Sequence, residues 1–137
     1  MTSAQNQKSQ ISYNIITSLF YFKAEILYKS GEYQKSINNI HKSNYRYKLI
    51  HTRNATALAA NYIKLGEKKL AKSMVDSIGK GYYIYDYALG NYYESIGNRD
   101  SALIVYNQIK ADKEIKHYAY YKSTLARIEY IEKNNHL

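Results

Sequence analysis

Histidine, cysteine and carboxylate side chains are the residues whose spacing could indicate catalysis or metal binding, and none forms such a pattern here. The four histidines stand ten or more residues apart, so the paired spacing of a helical zinc site is absent. They are His41, His51, His117 and His136. The chain has no cysteine, which excludes thiol catalysis, thiolate metal sites and disulfides. Asp112 and Glu114 lie in a charged turn and are interpreted as solvated. No phosphate-binding glycine loop or nucleophile elbow occurs, so we expect no enzyme activity, no cofactor and no metal.

Positive charge is distributed unevenly and indicates the kind of partner. The formal net charge is +9. Up to Val75 there are twelve Lys or Arg residues against three acids, and from Asp76 onward there are eight of each. The basic first half predicts an acidic protein partner, with nucleic acid as the alternative and a merely solvated, lysine-rich surface as the third interpretation. Arginine is rare and no recognition-helix or RNA-binding signature is present, so a protein partner is favoured over nucleic acid.

The elements that must position these residues are predicted to be helices. A chain of 137 residues has the length of a single domain. It contains no proline, and its apolar residues recur at helical spacing. The predicted helices cover about 11–30, 32–45, 52–65, 68–78, 82–96, 99–109 and 117–133. For the first of them we predict an apolar inner face formed by Ile16, Phe20, Ala24 and Leu27. Residues 1–10 are expected to be a disordered lead, and no segment reaches the roughly 20 apolar residues of a membrane span.

The clearest stretch runs over residues 82–109 and predicts two helices joined by a tight turn. Gly97 can take the left-handed conformation that closes a helix, and Asn98 can cap the next one. Within the first of these helices, Gly90 lacks a side chain and would let another helix approach closely.

This pattern recurs along the chain. Gly31, Gly66 and Gly97 are separated by 35 and 31 residues. Small residues stand five positions after each glycine and seven positions before it. They are Ser36, Ala71 and Ala102, and Ala24, Ala59 and Gly90. An apolar residue also stands four positions before each glycine, namely Leu27, Tyr62 and Tyr93. The alternative is an irregular helical bundle with accidental spacing.

The pattern resembles the tetratricopeptide (TPR) repeat family. The residues that carry the resemblance are Leu89-Gly90, Tyr93, Gly97, Ala102 and Tyr106. It implies an all-α fold, an α-solenoid of antiparallel helix pairs forming a TPR-like superhelix over residues 11–137, with about seven helices. The repeats would cover about 17–50, 52–81 and 83–114, followed by a terminal helix at about 117–133. The chain departs from the family pattern in having no proline at the repeat ends and in placing Lys23 at an apolar position.

In this family the first helix of each repeat lines a concave groove that binds a protein or peptide, and the resemblance implies the same role here. The corresponding groove positions are Tyr21, Glu25, Lys29, Arg53, Thr56, Ala60, Lys64, Tyr87, Asn91, Glu94, Tyr120, Ser123, Arg127 and Tyr130. Tyrosine and arginine are the side chains that most often anchor interfaces. Some of these tyrosines could instead pack sideways against the next repeat. Glu25 stands where one subfamily binds the carboxylate of a chaperone tail, and its charge argues against that ligand.

The resemblance also predicts context. Tyr- and Lys-rich arrays of this kind resemble the sensory parts of bacterial signalling regulators, so we expect the chain to belong to a larger protein. The outer face of the last helix is only half polar, which predicts either a homodimer or a continuation of the array through that end, with Leu125 and Ile131 in the contact. That face consists of Lys122, Arg127, Glu129, Glu132, Tyr130 and Ile131. The amino terminus has no apolar core and is not a signal peptide. A cytoplasmic location is favoured, or a periplasmic one if a signal peptide was removed.

Overall fold

A computed structural model describes residues 3–43, 48–81, 83–116 and 118–134, with the backbone alone for residues 9–14 and 48–50. Over these residues the chain is helical and contains no strand, which confirms the predicted all-α class. The helices are α1 (Ser3–Lys29), α2 (Tyr33–Lys42), α3 (Lys48–Lys64), α4 (Lys68–Ile78), α5 (Tyr83–Ser95), α6 (Arg99–Ala111) and α7 (Ala119–Lys133). A short 3-10 helix, Lys113–Ile115, precedes α7. None of the described helices is long and apolar enough to cross a membrane.

The same tight turn joins α1 to α2, α3 to α4, and α5 to α6. Its glycine, which is Gly31, Gly66 or Gly97, has a φ between +76° and +82°, a conformation that residues with a Cβ rarely adopt. The amide of each glycine donates to the carbonyl three residues earlier, and the next amide donates to the carbonyl five residues earlier. All six hydrogen bonds measure 2.9–3.1 Å and form the Schellman arrangement. The predicted helix-closing role of the three glycines is therefore confirmed.

The start of α6 carries the predicted cap. The Asn98 side-chain oxygen accepts a hydrogen bond from the backbone amide of Ser101 at 3.1 Å. This bond satisfies one of the amides that the first turn of a helix leaves without a partner. Glu32 and Glu67 occupy the same position before α2 and α4 and make no such bond. The three turns therefore share their backbone geometry but differ in side-chain capping.

Small residues lie buried where the two helices of each pair meet. Ser36, Ala71 and Ala102 have no exposed surface. The small residues of the preceding helices, Ala24, Ala59 and Gly90, are buried as well. In the first pair the Ser36 hydroxyl donates to the Ala24 carbonyl at 2.7 Å, so the two backbones approach closely. The predicted role of these positions in close helix packing agrees with this arrangement.

The apolar core lies between consecutive helix pairs. One cluster joins the α1–α2 pair to α3 through Ile37, Ile40 and Leu58. A second, larger cluster joins the α3–α4 pair to the α5–α6 pair. A third joins α6 to α7 through Tyr106, Ile128 and Ile131. Helices that are adjacent in sequence therefore supply most of one another's buried surface.

Helix α1 differs from the sequence-based expectation at its start and on its inner face. It begins at Ser3, so residues 3–10 are helical rather than a disordered lead, because no glycine or proline interrupts the chain before Gly31. Ile16, which was predicted to face inward, is 53% exposed. The buried face of α1 is turned away from Ile16. Thr17, seven residues before the buried Ala24, is 4% exposed, whereas Ile16 is eight residues before Ala24 and lies about 80° around the helix from it.

Helix α7 also differs from the prediction. Ile131 was assigned to its outer face, but this side chain has no exposed surface and belongs to the core cluster shared with α6. Leu125 is partly buried. The predicted outer face is therefore wrong at Ile131, whereas Tyr130 of the same face is 50% exposed. The predicted start of this helix, at His117, lies outside the described residues.

Candidate binding cavity

The odd-numbered helices surround one concave cavity of about 660 Å³. Helices α1, α3, α5 and α7 form its walls, and Ser36 and Ile40 of α2 contribute to its lining. Helices α4 and α6 contribute no lining residue. A cavity of this volume is in the range that binds small ligands or several residues of a peptide.

Most of the predicted groove residues line this cavity. From the candidate set these are Tyr21, Glu25, Lys29, Thr56, Ala60, Lys64, Tyr87, Asn91, Glu94, Tyr120 and Arg127. Arg53, Ser123 and Tyr130 are absent from the lining. Arg53 instead stacks on the ring of Tyr21, with its guanidinium carbon 3.8 Å from the ring centroid. Tyr130 is half exposed and lies under the guanidinium of Arg127 at 4.6 Å.

Tyrosine rings form much of the wall. Tyr87 and Tyr120 are stacked with their centroids 4.5 Å apart, which links α5 to α7. A second stacked pair, Tyr83 and Tyr118, has its centroids 5.1 Å apart; these residues lie four positions before Tyr87 and two positions before Tyr120. Burial raises the pKa of the Tyr21 and Tyr120 hydroxyls above the ordinary 10.0, so both keep their proton to a higher pH than an exposed tyrosine does. The wall therefore offers flat apolar faces whose hydroxyls can still form hydrogen bonds.

A polar network fixes the α5 side of the cavity to α6 and α7. The hydroxyl of Tyr106 lies 2.8 Å from Glu94 Oε1 and 2.5 Å from the Asn91 side chain. Its single proton can be donated to either acceptor, and the 2.5 Å separation from Asn91 Oδ1 lies within the range of an O–H···O hydrogen bond. Arg127 donates to both oxygens of Glu94, from Nε at 2.9 Å and from Nη2. The charge of Glu94 is therefore neutralised inside the protein.

The other charged residues of the cavity differ in whether an opposite charge lies nearby. Glu25 hydrogen-bonds the Tyr21 hydroxyl and lies near Arg53, so its charge is partly offset. Lys29 and Lys64 are the last residues of α1 and α3, and both line the cavity. Among the described residues neither has an ion-pair partner. The unneutralised charge at the cavity is therefore positive and comes from these two ammonium groups.

Sequence reasoning missed some residues of the cavity. Tyr28 lines it and lies three residues after Glu25 and seven after Tyr21, so it shares their helix face and could have been found. Asn61 is buried at the lining and donates to the Ser36 hydroxyl at 3.1 Å and to the Ala57 carbonyl at 2.9 Å. The sequence does not indicate this role of Asn61, because its hydrogen bond to Ser36 depends on the contact between α2 and α3.

The Tyr106 hydroxyl should make folding stability sensitive to high pH. Burial, and then the neighbouring Glu94 carboxylate, raise the pKa of this hydroxyl far above its ordinary 10.0. Above pH 10 the unfolded chain loses this proton and the folded chain keeps it, so ionisation favours unfolding. The stability advantage of the parent over Tyr106→Phe should therefore shrink by up to about 1.4 kcal/mol per pH unit above 10. Urea unfolding at pH 8, 10 and 11 measures this, and a constant difference would contradict it.

The described residues do not bring together three His, Cys, Asp or Glu side chains that could hold a metal ion. His51 lies with its Nε2 3.2 Å from the Ser77 carbonyl, in a contact between α3 and α4. Two of the four histidines, His117 and His136, lie outside the described residues. The polar groups that line the cavity are hydroxyls, amides and ammonium groups, together with the carboxylates of Glu25 and Glu94 and the guanidinium of Arg127. All of them can form hydrogen bonds, and the charged ones can form ion pairs.

Comparisons of the chain with protein-family models, with curated proteins and with solved structures found no match. What the cavity binds must therefore be argued from its geometry and charge.

Proposed function

We propose that the chain is a protein-interaction module built of three TPR-like helical repeats, and that its cavity binds an acidic peptide segment of a partner protein. Support for the repeats comes from the three Schellman turns of equal geometry and from the buried small residues on either side of them.

The proposal of an acidic ligand rests on the positive charge of the cavity. Glu94 is neutralised by Arg127, and Glu25 is partly offset, whereas Lys29 and Lys64 have no ion-pair partner within the part of the chain that the structure describes. Asp or Glu side chains of the peptide would pair with these two ammonium groups. Apolar or aromatic neighbours in the peptide would then contact the tyrosine wall formed by Tyr21, Tyr87 and Tyr120.

The basic surface outside the cavity is less available than the composition indicates. Lys35 pairs with Glu32 at 2.6 Å, and Lys72 pairs with Asp76 at 2.7 Å. Lys42 lies 5.7 Å from the ring of Phe20. Local pairing thus removes part of the continuous positive surface that a nucleic acid would require, so the protein partner remains the better proposal.

A random peptide display library, selected on the whole chain, tests the proposal. We expect enrichment of peptides that combine Asp or Glu with aromatic or large apolar residues. A selected peptide should lose about tenfold or more in affinity, equivalent to about 1.4 kcal/mol, against the variant Lys29→Glu/Lys64→Glu. Fluorescence anisotropy with the labelled peptide measures this, and binding to the parent should weaken as salt rises.

The matched control is Lys68→Glu/Lys69→Glu, which makes the same change of net charge on α4, outside the cavity. It should slow association through the long-range field and leave the dissociation rate nearly unchanged. Equal losses in both double variants would move the site out of the cavity. Competition by a single-stranded oligonucleotide at the same concentration as the peptide would favour the nucleic-acid alternative.

A further inference from the structure

The outer face of α1 carries a continuous apolar stripe. Ile15, Leu19, Phe22 and Ile26 are 56%, 60%, 55% and 68% exposed. Phe22 and Ile26 are each two residues from Ala24, or about 200° around the helix, so the stripe lies opposite the buried Ala24. Ile16 borders it and is also exposed. Other large exposed apolar side chains, such as Leu70 on α4 and Ile104 on α6, stand singly. Single exposed apolar residues are common on protein surfaces, whereas a contiguous exposed stripe is uncommon on a monomer.

The spacing of the stripe identifies what can cover it. The intervals are four, three and four residues, which is the alternation of a two-helix coiled-coil seam. This sequence of intervals reads the same in both directions. An antiparallel copy of α1 therefore places Ile15 opposite Ile26 of the second copy, and Leu19 opposite Phe22 of the second copy. A two-fold axis between them makes the surface complementary to itself.

The charged neighbours of the stripe are compatible with this pairing. Lys23 and Glu25 flank it and are exposed. In the antiparallel arrangement the same flank of each copy meets, so Lys23 lies beside Ile16 of the second copy and Glu25 lies beside Ser18 of the second copy. The two Lys23 residues share one flank about 7.5 Å apart along the axis, where both are exposed and water screens their repulsion.

The area is also adequate for a dimer. At these exposures each residue presents on the order of 100 Å². The five therefore give on the order of 500 Å² per copy, which is below the roughly 800 Å² per partner of a standard interface and in the range of a weak dimer. The largest apolar patch on a monomer is about 300–600 Å², and patches of that size are often functional. We propose that the chain forms a homodimer through antiparallel pairing of the α1 stripe, independently of what the cavity binds.

Multi-angle light scattering over a concentration series tests dimer formation with the whole chain. The parent should approach twice the 16.0 kDa monomer mass at tens of micromolar. Phe22→Glu should raise the dissociation constant of the dimer at least tenfold, so that the variant is monomeric. Ile104→Glu, a change at a similarly exposed position on α6, should leave the dissociation constant unchanged. A parent that stays monomeric throughout, or a Phe22→Glu variant that dimerises as well as the parent, overturns the proposal.

Cysteine cross-linking tests the orientation, since the chain has no cysteine of its own. Ile15→Cys and Ile26→Cys are mild changes that keep the helix. Under oxidation, a mixture of the two variants should form disulfide-linked dimers, and each variant alone should not, because its own cysteines would be about 16 Å apart along the axis. Cross-linking of either variant alone indicates parallel pairing and overturns the antiparallel arrangement. Absence of cross-links in the mixture overturns it as well.

Discussion

Replacing Gly90 by alanine should lower the free energy of unfolding by about 1–3 kcal/mol, through overpacking of the contact between α5 and α6. In an ordinary helix the same substitution stabilises by up to about 1 kcal/mol, because glycine loses more backbone entropy on folding. At Gly90, however, an added Cβ would lie 2.6 Å from Cζ and 2.7 Å from Cδ1 of the Tyr106 ring. These separations are far below van der Waals contact. The expected sign is therefore opposite to the one that helix propensity gives.

The ring of Tyr106 cannot move aside cheaply. It has no exposed surface, and its hydroxyl is held by Asn91 and Glu94. A Cβ at Gly90 must therefore separate α5 from α6 or break these hydrogen bonds. Leucine at the same position should cost more than alanine, since it adds three further carbon atoms to a filled site.

A second substitution makes the test specific. Tyr106→Leu removes the part of the ring that a Cβ at Gly90 would strike, so the double variant should lose clearly less stability than the two single variants combined. Urea unfolding followed by circular dichroism gives the four free energies. If Gly90→Ala is neutral or stabilising in the parent, or if the effects of the two substitutions simply add, α5 and α6 do not meet at Gly90 as described.

The turns and the small positions could be predicted from sequence because their causes are local. A glycine such as Gly97 is required wherever a helix ends in a left-handed residue, and that requirement is visible within a few residues of chain. The cap at Asn98 has the same short range. The closeness of approach at Gly90 could be predicted too, although what approaches is a buried ring rather than a bare helix backbone.

The pairing of charges in the cavity could not be predicted, because it depends on residues far apart in sequence. Arg127 and Glu94 are 33 residues apart and were both assigned to the groove as if available to a ligand. The structure pairs them with each other. Arg53 likewise stacks on Tyr21, outside the lining. The groove positions that the repeat resemblance implies mostly line the cavity, and only the tertiary arrangement distinguishes Lys29 and Lys64 from the charges that are paired among the described residues.

The assignment of outer faces failed where a helix is apolar on more than one side. In α1 both the inward residues around Ala24 and the outward residues around Phe22 are apolar, so periodicity alone gives no single inner face. In α7 the sequence does not show which apolar residues α6 covers, and in the structure α6 covers Ile131. Which face of α1 or α7 is buried depends on where the neighbouring helices pack.

Replacing Arg127 by methionine should cost about 2–3 kcal/mol in the free energy of unfolding, because it leaves the Glu94 carboxylate without its cation. The Glu94 side chain is only 15% exposed, so water cannot fully replace the two hydrogen bonds that Arg127 supplies. The Arg127 side chain is 39% exposed, which keeps the expected loss below that of a fully buried ion pair. Tyr106 should be affected as well, since its hydroxyl bonds the same carboxylate.

Two further variants separate this loss from a general effect of removing a basic residue from α7. Lys133→Met removes a lysine whose partner, Glu129, is exposed, and it should change stability by less than about 0.5 kcal/mol. Adding Glu94→Gln to Arg127→Met should recover part of the loss, because the uncompensated charge disappears while the Tyr106 hydroxyl keeps an acceptor. Equal losses for Arg127→Met and Lys133→Met, or no recovery in the double variant, would show that the pair between α5 and α7 does not stabilise the fold.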